Sequence, residues 1–184
     1  MTDLADRLYE RVLVLRCQAG DETAFAELVQ RYHARLRYYV RKLLGEASSV
    51  DDLLQDVWFD VFRALPRLAD PAALATWLYR IARDRAFRLL RKRRPPERPI
   101  GAFDIADSET EEESFSAEDA ARIHAALDQL PTEQREVLVL RFLEEMNYDD
   151  IARLTDTPLG TVRSRLHYAK RALRALLEGS MIRD

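Results

Sequence analysis

A single cysteine, Cys17, stands among the 184 residues of the chain. That excludes an intrachain disulfide and a CxxC metal site, and it fits a reduced thiol in a cytosolic protein. The histidines, His33, His124 and His167, are scattered without ligand spacing, so no metal and no other cofactor is expected. Glycine is scarce and β-branched runs are few, while Leu, Ala, Arg and Glu dominate; that balance favours helix. No Gly-rich phosphate loop, HExxH or GxSxG occurs, which removes the common hydrolase signatures. The paired carboxylates Asp51–Asp52 and Asp149–Asp150 fall at helix openings, where acids complement the macrodipole. No catalytic residue is therefore expected, and the chain does not read as an enzyme. The N-terminus, MTDLADRLYERVLVLRCQAG, lacks the basic-then-apolar order of a signal peptide, and VLVL is far too short to span a bilayer. A cytoplasmic protein is expected.

What is present is apolar residue enough for a core and an unusual amount of charge, 33% against the usual quarter. The formal net charge of −3 hides a segregation. WLYRIARDRAFRLLRKRR, from Trp77 to Arg94, has Asp84 as its only acid, whereas Pro99 to Ala121 contains no Lys or Arg. Basic residues return in RSRLHYAKRALR. Two cationic patches thus flank an acidic, weakly apolar segment, and RRPPERPIG supplies a break between them. The organisation expected is all-α: an N-terminal extension at 1–19, a small helical domain at 20–94, a flexible acidic linker at 95–115, a second helical domain at 116–178 and a tail at 179–184.

In the first domain, ETAFAELVQRYHARLRYYVRKLLG places Phe25, Leu28, Val29, Tyr32, Leu36, Tyr39, Val40 and Leu43 at the spacing of an amphipathic helix ending near Gly45. In VDDLLQDVWFDVFRAL, Leu54, Val57, Trp58, Val61 and Leu65 share one face, and Asp52, Gln55, Asp56, Phe59 and Arg63 the other. A large aromatic, Phe59, in a polar stripe suits the anchor of a partner interface. Asp70 and Pro71 read as cap and first residue of the following helix, whose expected core residues are Leu74, Trp77, Leu78, Ile81, Ala82 and Leu89. Arg85 falls inside that stripe and must snorkel out or pair with a carboxylate. Arg80, Arg83, Arg88 and Arg91 lie away from it, near Tyr79 and Phe87. Cations beside rings suit single-stranded nucleic acid, phosphates on the first and stacked bases on the second.

In the second domain, Ser116 with Asp119 reads as a capping box for a helix through Leu130, and Thr132 as the cap of the next, EQREVLVLRFLEE. Asn147 with Asp150 opens a short helix, YDDIARLT. Thr157 is the expected cap of the last helix and Pro158 its first residue. Two helices joined by a tight turn read as helix-turn-helix. In the last, Val162, Leu166, Ala169 and Leu173 face the core, and Gly160, Ser164, His167, Tyr168 and Arg171 point away, flanked by Arg163 and Arg165. Small polar side chains edged by arginines suit the major groove, side chains on base edges and arginines on phosphates or guanines.

These motifs carry a family resemblance. DDLLQDVWFDVFRAL, WLYRIARDRAFRLLRKRR and LDQLPTEQREVLVLRFLEEMNYDDIARLTDTPLGTVRSRLHYAKRAL resemble bacterial RNA polymerase sigma factors of the extracytoplasmic-function (ECF) group within the sigma-70 family, over about residues 18–178. The resemblance implies a region 2-like bundle that binds the -10 element as single strand through Trp77, Tyr79, Arg80, Arg83, Asp84, Arg88 and Arg91, with the loop from Leu65 to Thr76 taking an extruded base. It implies that Asp52, Gln55, Asp56, Phe59 and Arg63 dock on the β′ clamp helices of core RNA polymerase. It implies a region 4-like helix-turn-helix that reads the duplex -35 element through Thr161, Arg163, Ser164, Arg165, His167, Tyr168 and Arg171 and touches the β flap. An anti-sigma factor is a further partner common in the group. The chain departs from the group's usual residues at Asp84, Arg85, Arg88 and Leu159. The rival reading is a polymerase-independent helix-turn-helix regulator, which has no need of Phe59 in a polar stripe or of a basic single-strand surface.

Overall fold

The structure, a computed structural model, describes residues 2–45, 48–93 and 117–181. The acidic linker expected at 95–115 and Ser116 of the expected capping box lie outside the described residues. The chain divides into two compact units, Met1–Pro96 and Glu97–Asp184. Both are helical, with no strand among the described residues.

The first unit is built around α2 (Glu22–Leu44). Asp21 opens it, its carboxylate accepting from the Thr23 hydroxyl at 2.6 Å and the Ala24 N–H at 3.0 Å. Gly45 closes it at φ 70°, a left-handed geometry that glycine adopts without a Cβ clash. Leu28, Tyr32, Leu36, Tyr39, Val40 and Leu43 are buried along the face the periodicity marks, each contributing roughly 1.5–3 kcal/mol. Helix α3 (Val50–Ala64) buries Leu54, Val57 and Val61. A 3-10 turn, Leu65–Arg67, follows it. A second 3-10 turn, Pro71–Ala73, is capped by the Asp70 carboxylate on the Ala72 N–H at 2.9 Å and leads into α4 (Leu74–Arg93).

Residues 1–19, set apart in the sequence as an extension, supply a wall of this bundle. Helix α1 (Thr2–Gln18) buries Leu13 and Val14 completely. The Tyr32 hydroxyl donates to Glu10 Oε1 at 2.6 Å and Arg31 pairs with the same carboxylate at 3.0 Å. At its end the Gln18 amide donates to the carbonyls of Leu65 and Leu68, at 3.2 and 2.8 Å. The helix is hard to see by periodicity because Leu4, Leu8, Val12 and Leu15 remain exposed on its outer side, so apolar residues circle it.

Helix α4 is turned relative to expectation. Leu74, Leu78, Tyr79, Ala82 and Ala86 are buried, whereas Trp77, Ile81 and Leu89 are only half-buried. The core stripe therefore lies about 60° from the one expected through Leu74, Trp77, Leu78, Ile81, Ala82 and Leu89. The Tyr79 ring packs edge-on against Tyr39 of α2, centroids 5.0 Å apart.

The second unit comprises α5 (Ala117–Gln129), α6 (Thr132–Leu138), a π-helical turn (Val139–Leu143), α7 (Tyr148–Thr155) and α8 (Leu159–Met181). The expected continuous helix EQREVLVLRFLEE is thus interrupted: the Glu144 N–H reaches back to the Val139 carbonyl at 3.1 Å, and Phe142 and Leu143 turn outward. Pro131, not Thr132, holds the N-cap position of α6. Asn147 caps α7, its Oδ1 accepting from the Asp150 N–H at 2.8 Å. Asp156 turns the chain at φ 53°, and the Thr157 N–H closes the turn on the Ala152 carbonyl at 3.1 Å. Thr157 does not cap α8; its hydroxyl meets that of Thr155 at 2.8 Å, and the first bond of α8 runs from the Val162 N–H to the Pro158 carbonyl. Val137, Leu140, Ile151, Leu154, Val162, Leu166 and Ala169 form the core.

Candidate nucleic-acid interface

On α3, Asp52, Gln55, Asp56, Phe59 and Arg63 are all exposed on the side opposite the buried Leu54, Val57 and Val61. Phe59 is 58% exposed, and the Arg63 guanidinium lies 5.3 Å from its ring centroid. Phe62, 59% exposed, joins this surface and packs edge-on against Phe25 at 5.1 Å. Phe62 falls outside the polar stripe that marks Phe59 in the sequence, although three residues from Phe59 it sits on an adjoining part of the helix surface.

On α4, Arg80, Asp84, Arg88 and Arg91 are exposed. Arg83 is half-buried, its guanidinium 4.4 Å from the Phe87 centroid. Tyr79, expected among the stacking rings of this face, is fully buried in the core and unavailable to a base; the rotation of the helix that buries it brings Trp77 outward instead. Trp77, Asp84 and Arg88 line a concavity of about 490 Å³ together with Asp60, Arg63 and Arg67. Arg85, the apparent conflict in the core stripe, lies at its edge and pairs with carboxylates of α3: its Nε donates to Asp60 at 2.6 Å and its Nη1 to Asp56 at 3.1 Å. One acid of the α3 stripe, Asp56, is thereby engaged within the unit. The loop beginning at Leu65 is held by Gln18, an anchor invisible until α1 is placed.

On α8, Arg163 and Arg171 are exposed, and Thr161, Ser164, His167 and Tyr168 are half-buried. The Ser164 hydroxyl donates to the Thr161 carbonyl at 3.1 Å, and the His167 and Tyr168 rings meet edge-on at 5.6 Å. Arg165 departs from expectation. It pairs with Glu133 of α6 at 2.9 Å, because its position on α8 faces α6 rather than the outer flank. It ties two helices together, and Arg163 is the flanking arginine left exposed. No group of His, Cys, Asp and Glu among the described residues could hold a metal ion.

Residues 28–95 match the family model for Sigma-70 region 2, and residues 120–173 match that for Sigma-70, region 4. Over 181 residues the chain is 34% identical to the RNA polymerase sigma-H factor of Pseudomonas aeruginosa, covering 92% of this chain and 94% of the relative. The chain belongs to the extracytoplasmic-function group of RNA polymerase sigma factors. The ECF sigma-E factor of Escherichia coli K12 is 32% identical to this sigma factor over 182 residues, covering 92% and 95%. Among solved structures, that of CnrH with the cytosolic domain of CnrY matches 92% of this sigma factor and 97% of that chain, at TM-score 0.67 and 27% identity. The sigma factor RpoE of Bartonella quintana, solved with the anti-sigma factor NepR, shares the fold at TM-score 0.64 and 23% identity, over 84% and 96% of the chains. A sigma factor directs promoter-specific transcription, and a polymerase-independent regulator is not favoured, since both sigma regions occur in order in one chain. Among the described residues, no helix is long and apolar enough to cross a membrane.

Proposed function

We propose that this sigma factor divides its work among three exposed helix faces. The outer face of α3, with Phe59 as apolar anchor and Asp52, Gln55 and Arg63 around it, docks on the β′ clamp helices of core polymerase. The Arg80–Arg91 face of α4, with Trp77, holds the -10 element as single strand. The N-terminal half of α8 enters the major groove of the -35 element, with Thr161, Ser164, His167 and Tyr168 toward base edges and Arg163 and Arg171 toward phosphates or guanines. The second unit also touches the β flap. The observation that carries this reading is the pair of exposed arginine faces, on α4 and on α8, in a chain of net charge −3.

CnrH was solved with a protein partner, the cytosolic domain of CnrY. A protein of the anti-sigma kind, covering the same exposed faces in the cytoplasm, is the remaining proposed partner. The test is run-off transcription with core polymerase on a genomic promoter library. Wild type yields discrete starts that share two sequence elements; starts no more selective than those of core polymerase alone overturn the reading. Phe59→Ala should leave thermal unfolding unchanged and weaken core-polymerase capture about 10-fold or more, as loss of a central aromatic anchor does. Undiminished capture removes the α3 interface.

A further inference from the structure

The concavity between α3 and α4 contains a group that phosphate binding does not call for. Four arginines surround it, Arg63, Arg67, Arg85 and Arg88. Arg85 is neutralised by Asp56 and Asp60, and Arg63 lies over the Phe59 ring. Arg67 and Arg88 are exposed and have no ion-pair partner among the described residues. Asp84 is exposed in the same lining, likewise without an ion-pair partner there. A lone carboxylate on a surface that follows a phosphate backbone repels what the surface must bind. It contributes to binding only where the ligand offers it donors.

We propose that Asp84 makes this concavity selective for guanine among the unpaired bases of the strand that α4 holds. The proposal rests on the reading of α4 as the single-strand surface. An ionised carboxylate accepts through two oxygens and donates nothing. The Watson–Crick edge of guanine presents two adjacent donors, N1–H and N2–H, which match both oxygens. Adenine and cytosine present one amine beside an acceptor nitrogen, and that nitrogen faces the second oxygen unfavourably. Thymine presents a single N–H between two carbonyls. The opposite edge of guanine, O6 and N7, remains for an arginine, the side chain that suits it.

The apolar part of the site follows the same helical row. Trp77, Ile81, Asp84 and Arg88 recur at spacings that return to one face of α4. Trp77 and Ile81 therefore give the base a surface to lie on beside the groups that read its edges. In duplex DNA the guanine N1–H and N2–H are paired to cytosine. The carboxylate thus finds its donors only after strand separation, so it discriminates open from closed promoter as well as guanine from the other bases.

The test uses the full chain with core polymerase on promoters randomised through the -10 element. Wild type should favour guanine at one non-template position by about 10-fold or more, as one bidentate contact does. Asp84→Asn, nearly isosteric at an exposed site, should flatten that position and leave the -35 preference and the unfolding temperature unchanged. On a premelted bubble template, inosine at that position, which lacks only the 2-amino group, should weaken wild type and leave Asp84→Asn unaffected. A different favoured base, or a preference that survives Asp84→Asn, overturns the guanine site while wild-type initiation still stands for the sigma reading. Absence of promoter-dependent initiation by wild type overturns both.

Discussion

At the scale of single residues, several ionic side chains hold helices in place rather than face a ligand. Arg85 joins α4 to α3 through Asp56 and Asp60, and Arg165 joins α8 to α6 through Glu133. Charge counts along the sequence do not separate such ties from interface cations, because both are arginines beside apolar stripes; only the partner's place on the facing helix distinguishes them. Asp21 is a third case, and it carries a pH dependence. The Thr23 hydroxyl, the Ala24 N–H and Arg16 all favour its anionic form, and together they hold its carboxyl well below the usual carboxylate range. A carboxyl depressed in the folded state stabilises the fold above its unfolded pKa and loses that contribution as pH falls through the folded one. Asp21→Asn should therefore unfold at lower temperature than wild type at neutral pH. The difference should persist down to about pH 4, the ordinary value for an aspartate, and close only in more acidic solution. Thermal unfolding of both chains across that range checks it. A gap that closes already above pH 4 means the cap does not hold the anion.

At the scale of elements, amphipathic periodicity exposed the buried faces of α2 and α3 and the helix-turn-helix, because in each one strong apolar stripe meets one polar face. It misplaced the stripe of α4 and left α1 without a role. In α4, Trp77, Ile81 and Tyr79 offer two overlapping candidate faces, and the choice of Tyr79 depends on the Tyr39 ring across the bundle. The π-helical turn at Val139–Leu143 has no sequence signature comparable to a proline or a capping box. The start of α8 supports a prediction about why a poor helix former sits there. Gly160 is exposed, and a Cβ added to it meets nothing within 4 Å. Gly160→Ala should accordingly stabilise the free protein, by less than the roughly 0.5–1 kcal/mol that alanine gains over glycine in the middle of a helix, because Gly160 is the second residue of α8. If α8 enters the groove by its N-terminal half, the same methyl group meets the DNA, and -35 duplex binding should fall although stability rises. Calorimetry and a duplex titration on one variant read both effects. Stability gained with duplex binding intact places the DNA elsewhere on α8.

At the scale of the whole molecule, the separation of charge explains how two cationic faces coexist with an acidic chain. The exposed arginines of α4 and α8 attract any polyanion, and their contribution to binding is largely sequence-independent. The segment between Asp104 and Glu113 carries Asp104, Asp107, Glu109, Glu111, Glu112 and Glu113 and no cation. If these acids compete with stray DNA for the arginines, their place on the same chain keeps them at high local concentration whatever the dilution. Core polymerase removes that competition if its own cationic surface takes up the acidic segment. Replacing the six acids by their amides moves the net charge from −3 to +3. Binding of the free protein to non-promoter duplex should then tighten, on the order of 10-fold at low salt, and the gain should fade as salt rises, because long-range charge effects are screened within about 10 Å at 0.1 M. Transcription with core polymerase should at the same time lose selectivity for promoters over bulk DNA. Fluorescence titrations across a salt series, without and then with core polymerase, separate the two effects. Binding that is unchanged or weaker at low salt eliminates the acidic segment as a guard, leaving the arginine faces to be restrained by the geometry of polymerase binding alone.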